Sequence, residues 1–195
     1  MKKYPLLFAF LLLWAFSFSG CRKETSDVRT YHDFALRTID GDTFDFAQLK
    51  SYRASVVLFL QPECPFCHTY SRTFREVDSI LRQHHIRLLG VVAGKNFPIA
   101  EIKEYRDRYR FAFPILLDPD FKLTRWIKAT ITPQVFLMDQ QGKKLYHGLL
   151  DNWAYEIGKV RARATEFYLL EAVHAYLNNQ PQPRDSTQAL GCYIE

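Results

Sequence analysis

Two cysteines three residues apart, in the run Cys64-Pro65-Phe66-Cys67, are the residues of this chain whose type and spacing could carry chemistry. One helical turn separates them, so on a helix both thiols face one way. A thiolate at the first can then attack a disulfide while the second resolves the mixed disulfide that forms. The neighbouring residues predict that helix: Phe66, Tyr70, Phe74, Val77, Ile80 and Leu81 recur at three- and four-residue steps over residues 65–83. Just before it, residues 56–60 (V-V-L-F-L) are short, β-branched and aromatic, as in a fully buried strand. Cys64 therefore stands at a strand-to-helix junction, where unpaired N–H groups and the positive end of the helix dipole favour a thiolate. Cys64 and Cys67 are the expected catalytic pair. The bland alternatives are half a zinc centre or two inert thiols. A structural zinc wants four ligands, yet no second C-x-x-C exists and His32, His68, His84, His85, His147 and His174 show no ligand spacing near the pair. No metal site is expected.

The elements that must hold this pair alternate along the chain. Residues 34–39 and 43–46 flank Asp40-Gly41-Asp42 and predict a small hairpin. Residues 86–92 (I-R-L-L-G-V-V) predict another buried strand, residues 99–109 a polar helix, and residues 113–117 a short strand. Asp118-Pro119-Asp120 turns into a helix carrying Phe121, Leu123, Trp126 and Ile127. Gln134-Val135-Phe136-Leu137-Met138 follows Thr132-Pro133, with a proline allowed at a strand start, and residues 144–147 complete a second hairpin. A last helix is expected over residues 163–177. Strands alternating with helices imply a parallel central sheet.

The first twenty residues are expected to be a targeting segment. Lys2 and Lys3 precede an apolar run over residues 4–18, too short for the roughly 20 residues a spanning helix needs, and Ser19-Gly20 stand before Cys21. Phe18-Ser19-Gly20-Cys21 resembles the lipobox of bacterial lipoproteins, with Phe18 in place of the usual aliphatic residue. That resemblance implies lipidation of Cys21, against a soluble secreted protein or an uncleaved anchor. The expected organisation is a leader over 1–20, a tether over 21–30, one domain over 31–178 and a tail over 179–195. Loss of Lys2 and Lys3 leaves 24 of the 26 basic residues against 21 acids, a surplus of three that predicts no nucleic-acid partner. Export would also place the thiols where disulfides persist unless a dedicated donor reduces them.

Over residues 34–177 the chain resembles the thioredoxin fold, and more narrowly the membrane-tethered TlpA/ResA-like and redoxin-domain proteins of bacteria. The likeness rests on the hairpin, the C-x-x-C after a buried strand, Phe113-Pro114-Ile115-Leu116-Leu117-Asp118, and Thr132-Pro133-Gln134-Val135-Phe136-Leu137-Met138-Asp139. It implies an α/β domain, a thioredoxin-like fold with a central mixed β-sheet flanked by helices and an N-terminal hairpin. It implies that Pro133 is cis and faces the pair, and that Thr132 offers backbone hydrogen bonds to an incoming polypeptide. The activity implied is thiol-disulfide oxidoreductase without a cofactor, lipid-anchored in the bacterial cell envelope with the domain in the periplasm. Its partners would be exported protein thiols or disulfides and a membrane thiol donor or acceptor. Pro65 and Phe66 would join Thr132 and Pro133 in contacting substrate, although Phe66 equally suits packing on its own domain.

Departures from the family pattern define the alternatives. Glu63 stands where these families usually carry Trp, and a carboxylate beside a forming thiolate should push the Cys64 pKa upward; a solvated loop acid is the plain alternative. A peroxiredoxin-like thiol peroxidase would place Thr three residues before its nucleophile, where this chain has Gln61. A Sco-like copper carrier would need C-x-x-x-C and a histidine near Thr132-Pro133. A non-catalytic metal- or thiol-binding lipoprotein would tolerate loss of either thiol. Finally, Thr187, Ala189, Gly191, Cys192 and Ile194 resemble the T-x-A-x-G-C-x-I ending of some redoxin-domain proteins. Leu190, Tyr193 and Ile194 are too apolar for a solvated end, so the last six residues are expected to dock while 180–188 stay a mobile strap. Cys192 is then either a third redox thiol or a buried small hydrophobe.

Overall fold

The computed structural model describes residues 30–195. Cys21, the leader and most of the tether lie outside the described residues. A seven-stranded mixed sheet organises the chain. Strands β1 (Ala35–Thr38) and β2 (Thr43–Asp45) form the expected hairpin, and β3 (Ala54–Phe59) leads into α1 (Pro65–Thr69) and α2 (Ser71–Gln83). Then come β4 (Ile86–Ala93), α3 (Ile99–Tyr109), β5 (Ile115–Asp118), α4 (Lys122–Ile127), β6 (Ile131–Thr132), β7 (Gln134–Asp139) and β8 (Lys144–Gly148). A small hairpin of β9 (Ala154–Glu156) and β10 (Lys159–Val160), helix α5 (Tyr168–Leu177) and β11 (Cys192–Tyr193) finish the chain. The strand order is β2-β1-β5-β4-β3-β7-β8. Within this sheet β3–β4 and β4–β5 run parallel, because helical crossovers join them; β1 and β7 pair antiparallel on either side.

The central strands are buried on both faces, which is why they read as unbroken apolar runs. Alternation survives within them. Val56, Leu58 and Leu60 pack with Phe74, Leu81, Ile102 and Leu169, whereas Val57 and Phe59 pack on the other face with Leu89, Phe136, Leu123 and Ile127. One buried carboxylate fixes the α4 side: Asp118 accepts from the Lys122 and Thr124 amides at 2.8 Å each and from the Thr124 hydroxyl at 2.7 Å. Truncating it strands three donors. Asp118→Ala is therefore expected to cost about 2–3 kcal/mol in urea unfolding, whereas Asp120→Ala, at an exposed ion pair with Lys95, should leave the urea midpoint nearly unchanged.

Three elements differ from the sequence reading. The single helix expected over 65–83 is interrupted at Tyr70, whose buried ring donates from its hydroxyl to Asp151 at 2.8 Å. The last helix begins at Tyr168 instead of 163. Asn152 holds the preceding turn, accepting from the Thr165 and Glu166 amides, and Glu171 accepts from the Phe167 amide. The stretch before β11 is no free strap: the Thr187 amide donates to His147 at 3.0 Å, and the Thr187 hydroxyl contacts the Tyr146 hydroxyl and the Leu149 amide. Among the described residues no helix is long and apolar enough to cross a membrane.

Candidate active site

Strand β3 ends two residues before the Gln61-Pro62-Glu63 turn that delivers Cys64 to the N-cap of α1, with Pro65 in the first turn of the helix. Proline suits that position because its missing N–H would have had no intrahelical partner. Cys64 is 2% exposed and Cys67, one turn inward, is fully buried. The Thr132-Pro133 peptide is cis, and the Thr132 carbonyl oxygen lies 3.2 Å from the Cys64 sulfur. The cis-proline turn thus closes over the pair from the β6–β7 side, as the resemblance implied.

The two thiols differ sharply in acidity. Hydrogen bonding from Cys67 is the largest influence on Cys64 and holds its pKa down at about 5, against an ordinary value of 9.0; the Cys192 thiol, the Cys67 backbone and the Thr132 side chain add to it, while burial opposes them. Cys67 moves the other way, raised by burial first and then by hydrogen bonding to and charge repulsion from Cys64. One sulfur therefore carries the charge and the other the proton. The Tyr105 hydroxyl donates to the Cys67 carbonyl at 3.0 Å and helps fix the inner turn.

The chain matches the model of the AhpC/TSA family over residues 28–146. The chain belongs to the AhpC/TSA family. Its fold is thioredoxin-like, as solved structures also show. A hypothetical protein of Sinorhizobium meliloti superposes with a TM-score of 0.74 at 23% identity, covering 83% of this chain and 89% of that one. An uncharacterised protein of Geobacillus kaustophilus gives 0.73 at 20% identity, covering 83% and 87%. A secreted Mycobacterium tuberculosis disulfide oxidoreductase, described as homologous to E. coli DsbE, gives 0.51 at 20%, covering 57% and 80%. No curated protein matches the chain.

On this AhpC/TSA chain the structure gathers Cys64, Cys67, Thr132, Pro133 and Cys192 around one sulfur. Pro65 is exposed on the lip of the pair and Phe66 is half-buried against the core, which serves both readings of that ring. Glu63 does not do what its charge suggested. Its side chain is exposed, and the Cys64 pKa is set by hydrogen bonding with Cys67, Cys192 and Thr132, which outweighs the opposing effect of burial, so the net shift is downward. Solvent screens the carboxylate, whereas the sulfur contacts are buried.

Sequence reasoning missed the residues that shape the loop. Gln134 accepts from the Thr130 and Ile131 amides through its side-chain oxygen. Gln61, noted only as a departure from peroxidases, accepts from the Thr132 hydroxyl at 3.0 Å and donates to the Tyr193 carbonyl at 3.5 Å. Tyr105 carried no signal beyond its place on the apolar side of α3. Among the described residues no group of three or more His, Cys, Asp or Glu is placed to hold a metal ion.

Proposed function

We propose that this chain is an envelope thiol-disulfide oxidoreductase that exchanges disulfides with exported proteins through Cys64 and Cys67. The observation that carries the reading is the Cys64 sulfur, held acidic by the Cys67 thiol and set 3.2 Å from the Thr132 carbonyl beside cis Pro133. The Cys64 thiolate attacks a client disulfide, one client sulfur leaves and takes a proton, and a mixed disulfide forms. Once Cys64 is uncharged, hydrogen bonding and repulsion no longer raise the Cys67 pKa. Cys67 then loses its proton, attacks the Cys64 sulfur and releases the second client thiol. Run backwards, the same steps deliver a disulfide. The sulfur atoms carry the electrons themselves, so no cofactor takes part, and a membrane thiol donor or acceptor resets the pair. Pro65 and Phe66 on one side and Thr132 and Pro133 on the other flank the client.

The fold shared with a secreted disulfide oxidoreductase supports this reading. A Cys67→Ser, Cys192→Ser double variant should trap mixed disulfides with exported proteins on Cys64, recoverable under non-reducing conditions, and adding Cys64→Ser should remove them all. An equal yield of adducts without Cys64 would contradict the assignment.

Membership of the AhpC/TSA family supports a second reading, a thiol peroxidase. Against it, Gln61 fills the position where such a peroxidase resembling this chain carries Thr, and its side chain is already committed to Thr132 and Tyr193.

Anchoring through Cys21 belongs to the same proposal. Dual or triple acylation gives stable attachment where one chain is marginal. Cys21→Ser should abolish incorporation of labelled palmitate and release the protein from the membrane fraction; labelling that persists in this variant would remove the anchor.

A further inference from the structure

The C-terminal strand sits where a client would have to sit. β11 pairs antiparallel with β6, Cys192 opposite Thr132 and Tyr193 opposite Ile131, and the Ile194 amide extends the ladder to the Thr130 carbonyl at 3.0 Å. The Thr132 hydroxyl also lies 3.4 Å from the Cys192 carbonyl. An extended polypeptide reaching the Cys64 sulfur beside the cis-proline turn would use this same edge, because strand addition needs these backbone groups. The tail is clasped at both ends of its path. Leu190 packs with the core on one face of the sheet and Ile194 with the core on the other, while Thr187 is pinned to β8.

Two glycines mark how close the approach is. A Cβ on Gly191 would lie 2.0 Å from the Thr132 carbonyl oxygen, and a Cβ on Gly148 would lie 2.3 Å from the Thr187 hydroxyl oxygen. Both are far inside van der Waals contact, so the seat is closed to any side chain at these positions. The seat places Cys192 across from Thr132, the residue whose carbonyl oxygen lies 3.2 Å from the Cys64 sulfur, close enough for the two thiols to influence each other's ionisation.

We propose that Cys192 is a third redox thiol of this chain, forming a disulfide with Cys64 that locks the C-terminal strand over the client-binding edge. The proposal rests on the oxidoreductase reading of Cys64 and adds a residue to it. Two routes lead to the bond. In the oxidised chain, Cys192 loses its proton and its sulfur attacks Cys64; the Cys64–Cys67 bond breaks, Cys67 takes up the proton, and no electrons are lost or gained overall. Alternatively, with a small thiol disulfide-bonded to Cys64, Cys192 attacks Cys64 and the small thiol leaves with the proton. The chain thereby ends oxidised by two electrons and the original small disulfide ends as two thiols.

The site's electrostatics give the step an order. In the reduced chain burial, then hydrogen bonding to and repulsion from the Cys64 thiolate, push the Cys192 pKa up to about 12. Cys192 is then a proton donor and no nucleophile. When Cys64 enters a disulfide its charge disappears and only burial still opposes ionisation of Cys192. Cys192 stands opposite Thr132 in the ladder and the Thr132 carbonyl oxygen lies 3.2 Å from the Cys64 sulfur, so a local closure of the tail brings the two sulfurs toward the bonding distance of about 2.05 Å.

The test uses the purified protein carrying Cys67→Ser, treated with oxidised glutathione and mapped by non-reducing peptide mass spectrometry. The expected product is a Cys64–Cys192 linked peptide within one chain, with glutathione on Cys64 reduced at least about tenfold relative to the Cys67→Ser, Cys192→Ser double variant. Gly191→Ala placed in the Cys67→Ser background keeps Cys64 and Cys192 but unseats the strand, and should lower the linked peptide by a similar factor. Stable glutathione on Cys64 with Cys192 unmodified, or a linked peptide unaffected by Gly191→Ala, overturns the proposal. Trapping of clients by the double variant is read separately, so the oxidoreductase assignment can stand where the third thiol falls.

Discussion

Cys64→Ser is expected to lower disulfide exchange by about a thousandfold or more, because a serine hydroxyl does not ionise near neutral pH and is no nucleophile toward sulfur. The fold should persist. Cys64 occupies a small buried volume, and oxygen for sulfur removes little packing, so thermal unfolding should change modestly. Cys67→Ser is expected to behave differently, retaining the first attack on a disulfide and losing multiple turnovers. The contrast follows from position: Cys64 caps α1 beside the Thr132 carbonyl, whereas Cys67 is fully buried behind it. Insulin reduction followed by turbidity, together with single-turnover thiol loss, separates the two effects. Equal losses of the first turnover in both variants would mean that the roles are misassigned.

The second large effect concerns pH. Iodoacetamide alkylation of Cys64 should rise with pH around a midpoint of about 5. Cys67→Ala removes the hydrogen bond with the largest influence and should move that midpoint upward, whereas Cys67→Ser, which keeps a donor, should move it less. Stability follows from the sign of the shift. The folded value lies below the ordinary 9.0, so the thiolate's contribution to the reduced chain is fully present above about pH 9 and is lost as pH falls through about 5. The reduced protein should therefore lose stability between these limits relative to Cys64→Ser. The reduction potential carries the same signature. Above pH 5 only one proton accompanies two electrons, a slope of about −30 mV per pH unit, and below it two protons do, about −60 mV per unit. An alkylation midpoint near 9 with one unbroken slope would contradict the acidic thiolate.

Much of this was legible because the informative features are local. The C-x-x-C spacing and the buried strand ahead of it needed only neighbouring residues, the cis Thr132-Pro133 step followed from the family resemblance, and the polar helix expected over 99–109 is found at Ile99–Tyr109. What was illegible depends on contacts distant in sequence. Tyr70 interrupts a continuous apolar stripe while its hydroxyl is bonded to Asp151, eighty-one positions away. The helix expected over 163–177 starts five residues later, at Tyr168, because Asn152 holds the turn before it, and no periodicity records that. Charge and adjacency alone point to Glu63, but the Cys64 sulfur responds to Cys67 and Cys192, one a helical turn away and the other across the cis-proline loop. Gln61 and Gln134 read as ordinary polar residues, since their importance lies in which backbone and hydroxyl groups face them.

The central claim is that the Cys64 thiolate exchanges with disulfides. Its most direct test is stopped-flow mixing of the fully reduced protein with insulin and, separately, with hydrogen peroxide, scoring formation of the Cys64–Cys67 disulfide by mass after acid quench. Insulin should produce that disulfide within a single turnover, at a rate following the ionisation of Cys64, with peroxide no faster. A peroxide reaction faster by about a thousandfold, with insulin leaving the two thiols reduced, would contradict the account and make this chain a peroxidase.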